Sequence, residues 1–459
     1  MYERGIKLMS NERNGFSSRL GFVLATAGSA VGLGNIWRFP YLAAKYGGGT
    51  FLLIYLILTL TFGFTLMITE VALGRKAGTS AINAFGHFRK KYTFIGYLTS
   101  IIPFIIFPYY CVIGGWVTKY ALISLQGRIH EATSDTFFTE FIGKTTEPMI
   151  CLLVFLVITT VVVAGGVKGG IERVSTILMP VLIILLIGVS VFCITRPGAM
   201  AGVVYYLKPN LSDLSPKTFL AALGQLFYSM SLAMGIMITF GSYMPRKSDL
   251  EQSVTQVECF DTGVAFLAGL MIVPAVFVFS NGDSSMLAKG PSLMFVMLPK
   301  VFDSMSFSNG IAMVFFVLVL LAALTSSISL LETLVAVLMD KFQMKRSTAC
   351  ITMFIIALLM AVPSSLGFGV WSGIKILGFD FLDFFDFISN SVLMPIAAFL
   401  TCIFVAYVIK PETIINEVES SGKFKRKPLF LVMIKYIAPI CIIAILIFSI
   451  LEGMGIITV

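Results

Sequence analysis

The amino-acid sequence predicts an all-α polytopic membrane protein with eleven transmembrane helices, arranged as two five-helix inverted repeats followed by a last helix. Hydrophobic residues make up 57% of the 459 residues and charged residues only 12%, with a mean hydropathy of +0.94. This balance is typical of chains embedded in lipid. Eleven stretches have the roughly 20 apolar residues that a spanning helix needs. The first and the sixth carry glycine and polar residues in their middle.

The positions of the two unusual spans define the halves of the chain. The eleven spans start near Phe16, Thr50, Tyr92, Glu147, Val174, Lys217, Val254, Asn309, Ser347, Leu382 and Leu429. Interrupted spans at equivalent positions of two halves indicate inverted repeats. The segments that we expect are an N-terminal segment at 1–16, a first repeat at 17–197, an outer connection at 198–216, a second repeat at 217–410 and the last span at 428–455.

The basic residues are distributed as in a membrane protein and not as in a nucleic-acid-binding protein. The net charge is +9, and most of the 33 Lys and Arg fall in inner segments when the N-terminus is placed inside. This bias predicts a cytoplasmic N-terminus and, with an odd number of spans, an outer C-terminus. We expect a multi-pass protein of the cell (inner) membrane that contacts the lipid bilayer, binds no nucleic acid and is a monomer or weak dimer. Seven cysteines without a CxxC spacing and two histidines argue against a zinc site or a disulfide framework.

The first span contains the sequence AGSAVGLGNIWRFP, residues 27–40, which is unusual for hydrocarbon surroundings. Its glycines allow two interpretations, a close packing face, since GSAVG is a GxxxG motif, or a break in the helix. Asn35 and Arg38 favour the break, because polar groups at this depth should face protein or a water-filled cavity. A broken helix has free N–H groups that suit a carboxylate and free C=O groups that suit a cation.

Polar residues in other spans are further candidates. Thr325 and Ser326 lie in the eighth span; such hydroxyls usually bond to their own helix, but they are also the hard oxygen ligands that a small cation requires. Asp261 and Asp386 are flanked by apolar residues, and an acid at membrane depth indicates function unless it lies nearer the interface. We expect Asp386 to pair with Arg38 and Asp261 to face a cation.

Four motifs, GSAVGLGNIWRFPY, GGGTF, GQLFYSMSLAMG and LTSSI, resemble in this order those of the neurotransmitter:sodium symporter family, over about residues 13–410. The resemblance implies a leucine-transporter-type fold with spans 1 and 6 unwound at mid-membrane. The implied substrate site consists of Ala30, Gly34, Ile106, Tyr110, Tyr228, Ser229, Ser231, Met234, Ser326 and Leu330. One Na⁺ is implied at Ala30, Asn35, Ser229 and Asp261, together with the substrate carboxylate, and a second at Gly28, Val31, Ala322, Thr325 and Ser326.

The same resemblance implies which parts move. The implied outer gate is Arg38 with Asp386, and the implied inner gate is Arg13 with Asp340 and Tyr243. Gly170 and Pro180 in the fifth span match a family pattern associated with local unwinding, for which an ordinary proline kink is the alternative.

Three departures from relatives in the family indicate the substrate and the ions. Gly32 replaces the aspartate of monoamine transporters, which implies that the substrate brings a free carboxylate. Asp261 replaces a neutral residue, and its charge could substitute for chloride, although it leaves proton coupling open. Met234 replaces an aromatic wall and, with Ile106 and Leu330, favours bulky apolar side chains.

The expected function is a Na⁺-coupled secondary active symporter that imports neutral hydrophobic or aromatic L-amino acids by alternating access. We expect it to use two Na⁺ ions and no chloride, and to have no enzymatic activity. An amino-acid-sensing membrane receptor with the same fold is the alternative.

Overall fold

The computed structural model of the chain describes residues 15–280, 292–305 and 307–453. These residues form helices, and their β-structure is limited to an isolated bridge between Ile376 and Phe379. Nine helices of the described part are long and apolar enough to cross a membrane. They are span 2 (Gly49–Ala77), span 3 (Lys90–Leu125), span 4 (Thr146–Ala164), span 5 (Val167–Ile194), span 7 (Leu250–Phe279), span 8 (Ser308–Phe342), span 9 (Arg346–Leu366), span 10 (Phe381–Val408) and span 11 (Lys427–Gly453). Shorter helices between them include Ala81–Phe88, Phe137–Gly143, Ala199–Leu207, Leu298–Asp303 and Glu412–Glu419.

Span 1 is broken. Its first helix is Arg19–Ala30, Val31 then takes an extended conformation, and the chain resumes as the helix Gly34–Lys45, so that the two helices are bent by 55°. The predicted break in the first span therefore exists. It begins only after Ala30, because the Val31 N–H still donates to the Ala27 carbonyl at 2.7 Å.

The helices Pro216–Ser229 and Ile236–Tyr243 occupy the place of the predicted sixth span. Positive φ angles in the segment between them occur at Ser231 (52°), Ala233 (61°) and Gly235 (73°). This left-handed geometry is strained at the two positions that are not glycine. A buried carboxylate, Glu70 of span 2, accepts a hydrogen bond from the Ala233 N–H at 2.8 Å and so stabilises the segment.

Spans 4 and 5 are separated by two glycines, of which Gly166 has a φ of 82°. Span 5 begins with the π-helical turn Val167–Glu172, so the predicted start near Val174 is too late. The two spans approach closely here, since a Cβ on Gly170 would lie 2.0 Å from the Val162 carbonyl oxygen.

The spans form a central group and a peripheral group. About three quarters of the most apolar stretch of spans 2, 3 and 8 is buried within the protein, but only a third or slightly more of that stretch in spans 4, 5, 9 and 11. Apolar side chains on the peripheral spans, such as Val161, Ile184 and Ile447, are exposed. The broken spans 1 and 6 pack against spans 2 and 8, so both breaks lie in the interior.

Candidate functional site

The breaks in spans 1 and 6 face each other and, with spans 3 and 8, enclose a cavity of about 40 Å³. The residues predicted to bind substrate all line this cavity, namely Ala30, Gly34, Ile106, Tyr110, Tyr228, Ser229, Ser231, Met234, Ser326 and Leu330. It is also lined by Ser29, Leu33 and Ile236, which the sequence analysis missed. The cavity has room for only about three water-sized groups, so a larger ligand needs the walls to separate.

One end of the cavity carries unused hydrogen-bond donors. Within the described part of the chain, the buried Tyr110 hydroxyl forms no hydrogen bond. It lies close to Gly32, where a Cβ would be 3.5 Å from the hydroxyl oxygen. The second helix of span 1 starts at Gly34, and the first N–H groups of a helix lack intrahelical partners. A hydroxyl beside the positive end of a helix suits a carboxylate.

The other walls of the cavity are apolar. Ile106 of span 3, Leu330 of span 8 and Met234 of the span 6 break line it, and each is buried. Ile236 extends the same surface. These walls suit an apolar side chain, and methionine can change its shape to fit different ones.

Asp261 of span 7 forms the centre of a polar cluster beside the cavity and is fully buried. Its carboxylate accepts hydrogen bonds from Asn35 Nδ2 at 2.7 Å, from Ser229 Oγ at 2.9 Å and from the Tyr55 hydroxyl at 3.3 Å. The ion pairs found among the described residues do not include Asp261. A buried carboxylate without a protein cation is costly, and a bound cation would offset this cost.

A second group of oxygen atoms surrounds Ser326 of span 8. Its Oγ lies 3.4 Å from the Gly28 carbonyl oxygen, 3.1 Å from that of Ser29 and 3.3 Å from that of Val31. These carbonyls are available because the first helix of span 1 ends at Ala30. The remaining predicted ligands are near, since Thr325 Oγ1 donates to the Ala322 carbonyl at 3.0 Å. This ligand set is neutral and made of hard oxygen atoms, which suits a weakly held small cation.

The ion pair predicted between Arg38 and Asp386 is not formed in this structure. The Arg38 guanidinium lies over the Tyr228 ring, 5.1 Å from its centroid. Asp386 instead accepts hydrogen bonds from Asn390 Nδ2 at 2.6 Å and from the Tyr109 hydroxyl at 3.1 Å. Each charged group has a nearer partner in this structure, and the pairing of the two as a closed outer gate stays a prediction.

At the opposite end of the bundle, Tyr243 belongs to a buried network. Its hydroxyl donates to Glu332 Oε1 at 2.8 Å, and Arg346 contacts both oxygens of Glu332 at 2.6 and 2.8 Å. Arg346 also donates to the Val163 carbonyl at 3.0 Å. The network therefore joins span 6 to spans 8 and 9 and to the end of span 4.

One other residue of the predicted inner gate contacts the segment after span 2, and the other lies outside the described residues. Asp340 accepts hydrogen bonds from Thr79 Oγ1 at 2.9 Å and from the Ser80 N–H at 2.7 Å. Arg13 lies outside the described residues. A second cavity, here called the inner cavity, has a volume of about 330 Å³ and is lined by residues 164–169, Tyr243, Ala336, Met339 and Arg346.

The predicted hinge residues lie on span 5, along span 1. Gly170 is in the first turn of span 5, and Pro180 is inside its helix. Met179, which precedes the proline, packs on Gly28, where a Cβ would lie 3.5 Å from the methionine sulfur. Span 5 therefore contacts span 1 at Gly28, whose carbonyl oxygen belongs to the cluster around Ser326.

A sequence model of the sodium:neurotransmitter symporter family matches residues 13–141 and 135–455 of the chain. The chain belongs to this family. The symporter is 35% identical to the uncharacterised sodium-dependent transporter YhdH of Bacillus subtilis, over 94% of this chain and 96% of that protein. It is 25% identical to the sodium- and chloride-dependent taurine transporter of Canis lupus familiaris, over 96% of this chain and 78% of that protein. Among solved structures, MhsT in complex with L-phenylalanine is 38% identical with a TM-score of 0.86, covering 95% of this chain and 99% of that one.

These similarities confirm the predicted family and fold. The symporter is a Na⁺-coupled membrane transporter of a small molecule and not an enzyme. Its broken helices create the two oxygen-rich clusters next to the cavity, and no covalent chemistry is needed for such a function.

Several contacts in the symporter were not predicted from the sequence. Tyr55 reaches Asp261, the Ser29 carbonyl joins the Ser326 cluster, and Glu332 is buried in an ion pair. Tyr55 carried a usable signal, because it is a polar-tipped residue inside the apolar run FLLIYLIL. A backbone carbonyl carries no such signal.

Proposed function

We propose that the symporter imports neutral hydrophobic or aromatic L-amino acids by alternating access, driven by two Na⁺ ions and without chloride. The observation that supports this most directly is the composition of the cavity between the two breaks. The free Tyr110 hydroxyl and the helix start at Gly34 suit a carboxylate, and Asp261 beside them suits a cation. Met234 and Leu330 suit an apolar side chain.

The space around Gly32 supports a substrate with its own carboxylate. A Cβ at this position would lie 2.6 Å from Ser326 Oγ, so an acidic side chain of the protein would not fit without displacing Ser326. The substrate carboxylate would thus be the one beside Tyr110. MhsT was crystallised with L-phenylalanine, a free aromatic amino acid, and its similarity to this chain supports the same class of substrate.

The two Na⁺ ions would occupy the two clusters. The first would bind at Ala30, Asn35, Ser229 and Asp261 together with the substrate carboxylate, and the second at Gly28, Val31, Ala322, Thr325 and Ser326. Substrate and first ion would share ligands, so each would lower the free energy cost of binding the other. The Asp261 carboxylate would provide the fixed negative charge that chloride provides elsewhere, which makes chloride unnecessary.

In the proposed orientation the N-terminus is cytoplasmic, the C-terminus lies outside and the protein resides in the inner membrane. Arg38 and Asp386 would close the outer side above Tyr228, and Arg13, Asp340 and Tyr243 would close the inner side. Gly170 and Pro180 would let span 5 unwind when the inner side opens. The inner cavity then lies at the cytoplasmic end.

The test is uptake of radiolabelled phenylalanine and leucine into proteoliposomes with an inward Na⁺ gradient, in chloride and in gluconate buffer. We expect accumulation that requires Na⁺ and is equal in both anions. A protein that binds amino acids but never accumulates them would be a sensing receptor, the alternative from another functional class. Strict dependence on chloride would contradict the role proposed for Asp261.

A further inference from the structure

Glu172 of span 5 is a buried carboxylate for which the proposed function gives no role. It is 6% exposed and lies at the start of span 1, where it accepts hydrogen bonds from the Ser17 N–H at 2.8 Å, from Ser17 Oγ at 2.6 Å and from Ser18 Oγ at 3.4 Å. Gly21 makes room for it, since a Cβ there would lie 1.8 Å from Oε1. The ion pairs within the described part of the chain do not involve Glu172.

The position of Glu172 relative to the second Na⁺ cluster follows from two contacts between spans 1 and 5. Gly21 faces Glu172, and Gly28, a proposed ligand of the second ion, faces Met179. Gly28 comes seven residues after Gly21 on span 1, and Met179 comes seven residues after Glu172 on span 5. The two helices therefore run side by side in the same direction. With a rise of 1.5 Å per residue, Glu172 lies about 10 Å from Gly28 along the helix axis.

Glu172 also lies next to the inner cavity. The walls of this cavity include Val167, Lys168 and Gly169 of the same π-helical turn. Val167 and Glu172 are five residues apart, which is about one turn of a π-helix, so they lie on one face of it. The carboxylate thus stands between the oxygen cluster around Ser326 and the cavity through which an ion would leave.

We propose that Glu172, with the hydroxyl oxygens of Ser17 and Ser18, is a transient site for Na⁺ on its way from the second ion site to the inner cavity. One carboxylate and two hydroxyls are hard oxygen ligands of the kind that Na⁺ accepts. A negative charge along this interval of about 10 Å lowers the free energy of a cation crossing it. This inference rests on the proposed function, because it takes the Ser326 cluster as an ion site.

The competing explanation is that Glu172 only caps the first helix of span 1. A cap needs a hydrogen-bond acceptor, whereas an ion site needs the negative charge. Glu172→Gln separates the two, because the amide oxygen still accepts from the Ser17 N–H but the charge is gone. Glu172→Asp is the matched control that keeps the charge.

The experiment measures ²²Na⁺ on reconstituted protein, both its affinity at equilibrium and its dissociation rate after rapid dilution into Na⁺-free buffer. We expect Glu172→Gln to slow the release of the slower ion about fivefold or more, which corresponds to a release barrier raised by about 1 kcal/mol, with unchanged equilibrium affinity. Glu172→Asp should release Na⁺ as the wild type does. If Glu172→Gln does not fold, the double variant Ser17→Ala/Ser18→Ala, which removes both hydroxyl ligands, should slow release in the same way.

Two outcomes overturn the inference. Release from Glu172→Gln, or from the double variant, at the wild-type rate shows that no ion site exists there. A change in equilibrium affinity that matches the change in rate shows a structural cap alone. Failure of the proposed function is a different result, since the wild-type protein would then show neither ²²Na⁺ binding nor Na⁺-driven uptake.

Discussion

At the scale of single residues, Asp261 is the group on which the proposed ion dependence rests. Its carboxylate is fully buried and has three neutral hydrogen-bond donors, from Asn35, Ser229 and Tyr55. Burial of a charge costs several kcal/mol unless a counter-charge is present. The side chain therefore creates a strong preference for a cation in its vicinity, which neutral residues at the same position would not create.

We expect Asp261→Asn to make transport dependent on chloride. The amide is nearly isosteric with the carboxylate but lacks the negative charge that balances the bound ions, so an external anion has to supply it. Uptake by the variant in gluconate should be close to background and should rise with chloride. The wild type in both buffers is the control, and a variant that ignores chloride would contradict the proposed substitution of charge.

Tyr110 offers a test of carboxylate binding. Tyr110→Phe removes a buried hydroxyl that has no hydrogen bond within the described part of the chain, so the variant should fold normally. A hydrogen bond to a charged group contributes about 1.5–3 kcal/mol, so we expect KM to rise roughly 10- to 100-fold. The matched control is Tyr206→Phe, because the Tyr206 hydroxyl bonds to the Phe266 carbonyl at 3.1 Å and does not line the cavity. Equal effects of both substitutions would contradict the assignment.

At the scale of elements, the existence of each break could be predicted, but its geometry could not. Glycine and polar residues in an apolar run predict a broken span, and spans 1 and 6 are both broken. The break in span 1 starts after Ala30 because Gly28 still packs against Thr325 and keeps its helical geometry. Span 5 begins earlier than predicted, because VKGG forms a π-helical turn despite its glycines.

The connection between spans 4 and 5 leads to a prediction about movement. A Cβ on Gly170 would lie 2.0 Å from the Val162 carbonyl oxygen, whereas a Cβ on Gly169 would meet open space. We expect Gly170→Ala to push the two spans apart and to lower the rate of Na⁺-driven uptake at least about tenfold, since tight packing tolerates no such overlap. Gly169→Ala is the matched control and should transport at the wild-type rate. Similar rates for both variants would show that this contact is not part of the transport cycle.

At the scale of the whole molecule, the site is built from segments that are far apart in the sequence. Asn35 meets Asp261 across 226 residues, and Ser326 meets the Gly28 carbonyl across 298. Most of these residues could be predicted from the resemblance to the family, because they lie within its motifs. Contacts that no motif carries, such as Ser17 with Glu172 across 155 residues, depend on helix packing and could not be predicted. The side-chain positions of Arg38 and Asp386 could not be predicted either, because they depend on partners that come near only in the folded protein.

The number of ions determines how strongly the transporter can concentrate its substrate. Two Na⁺ entering with a neutral amino acid move two charges, which a membrane potential of 100 mV drives with about 4.6 kcal/mol. One ion gives half of this free energy. With equal Na⁺ on both sides of a proteoliposome, a tenfold gradient of amino acid should therefore be balanced by about 30 mV for two ions and about 59 mV for one. We expect the value near 30 mV when the potential is set by K⁺ and valinomycin and net flux of labelled substrate is followed to zero. A value near 59 mV would show one net charge moved per substrate and would contradict the entry of two Na⁺ without a compensating charge.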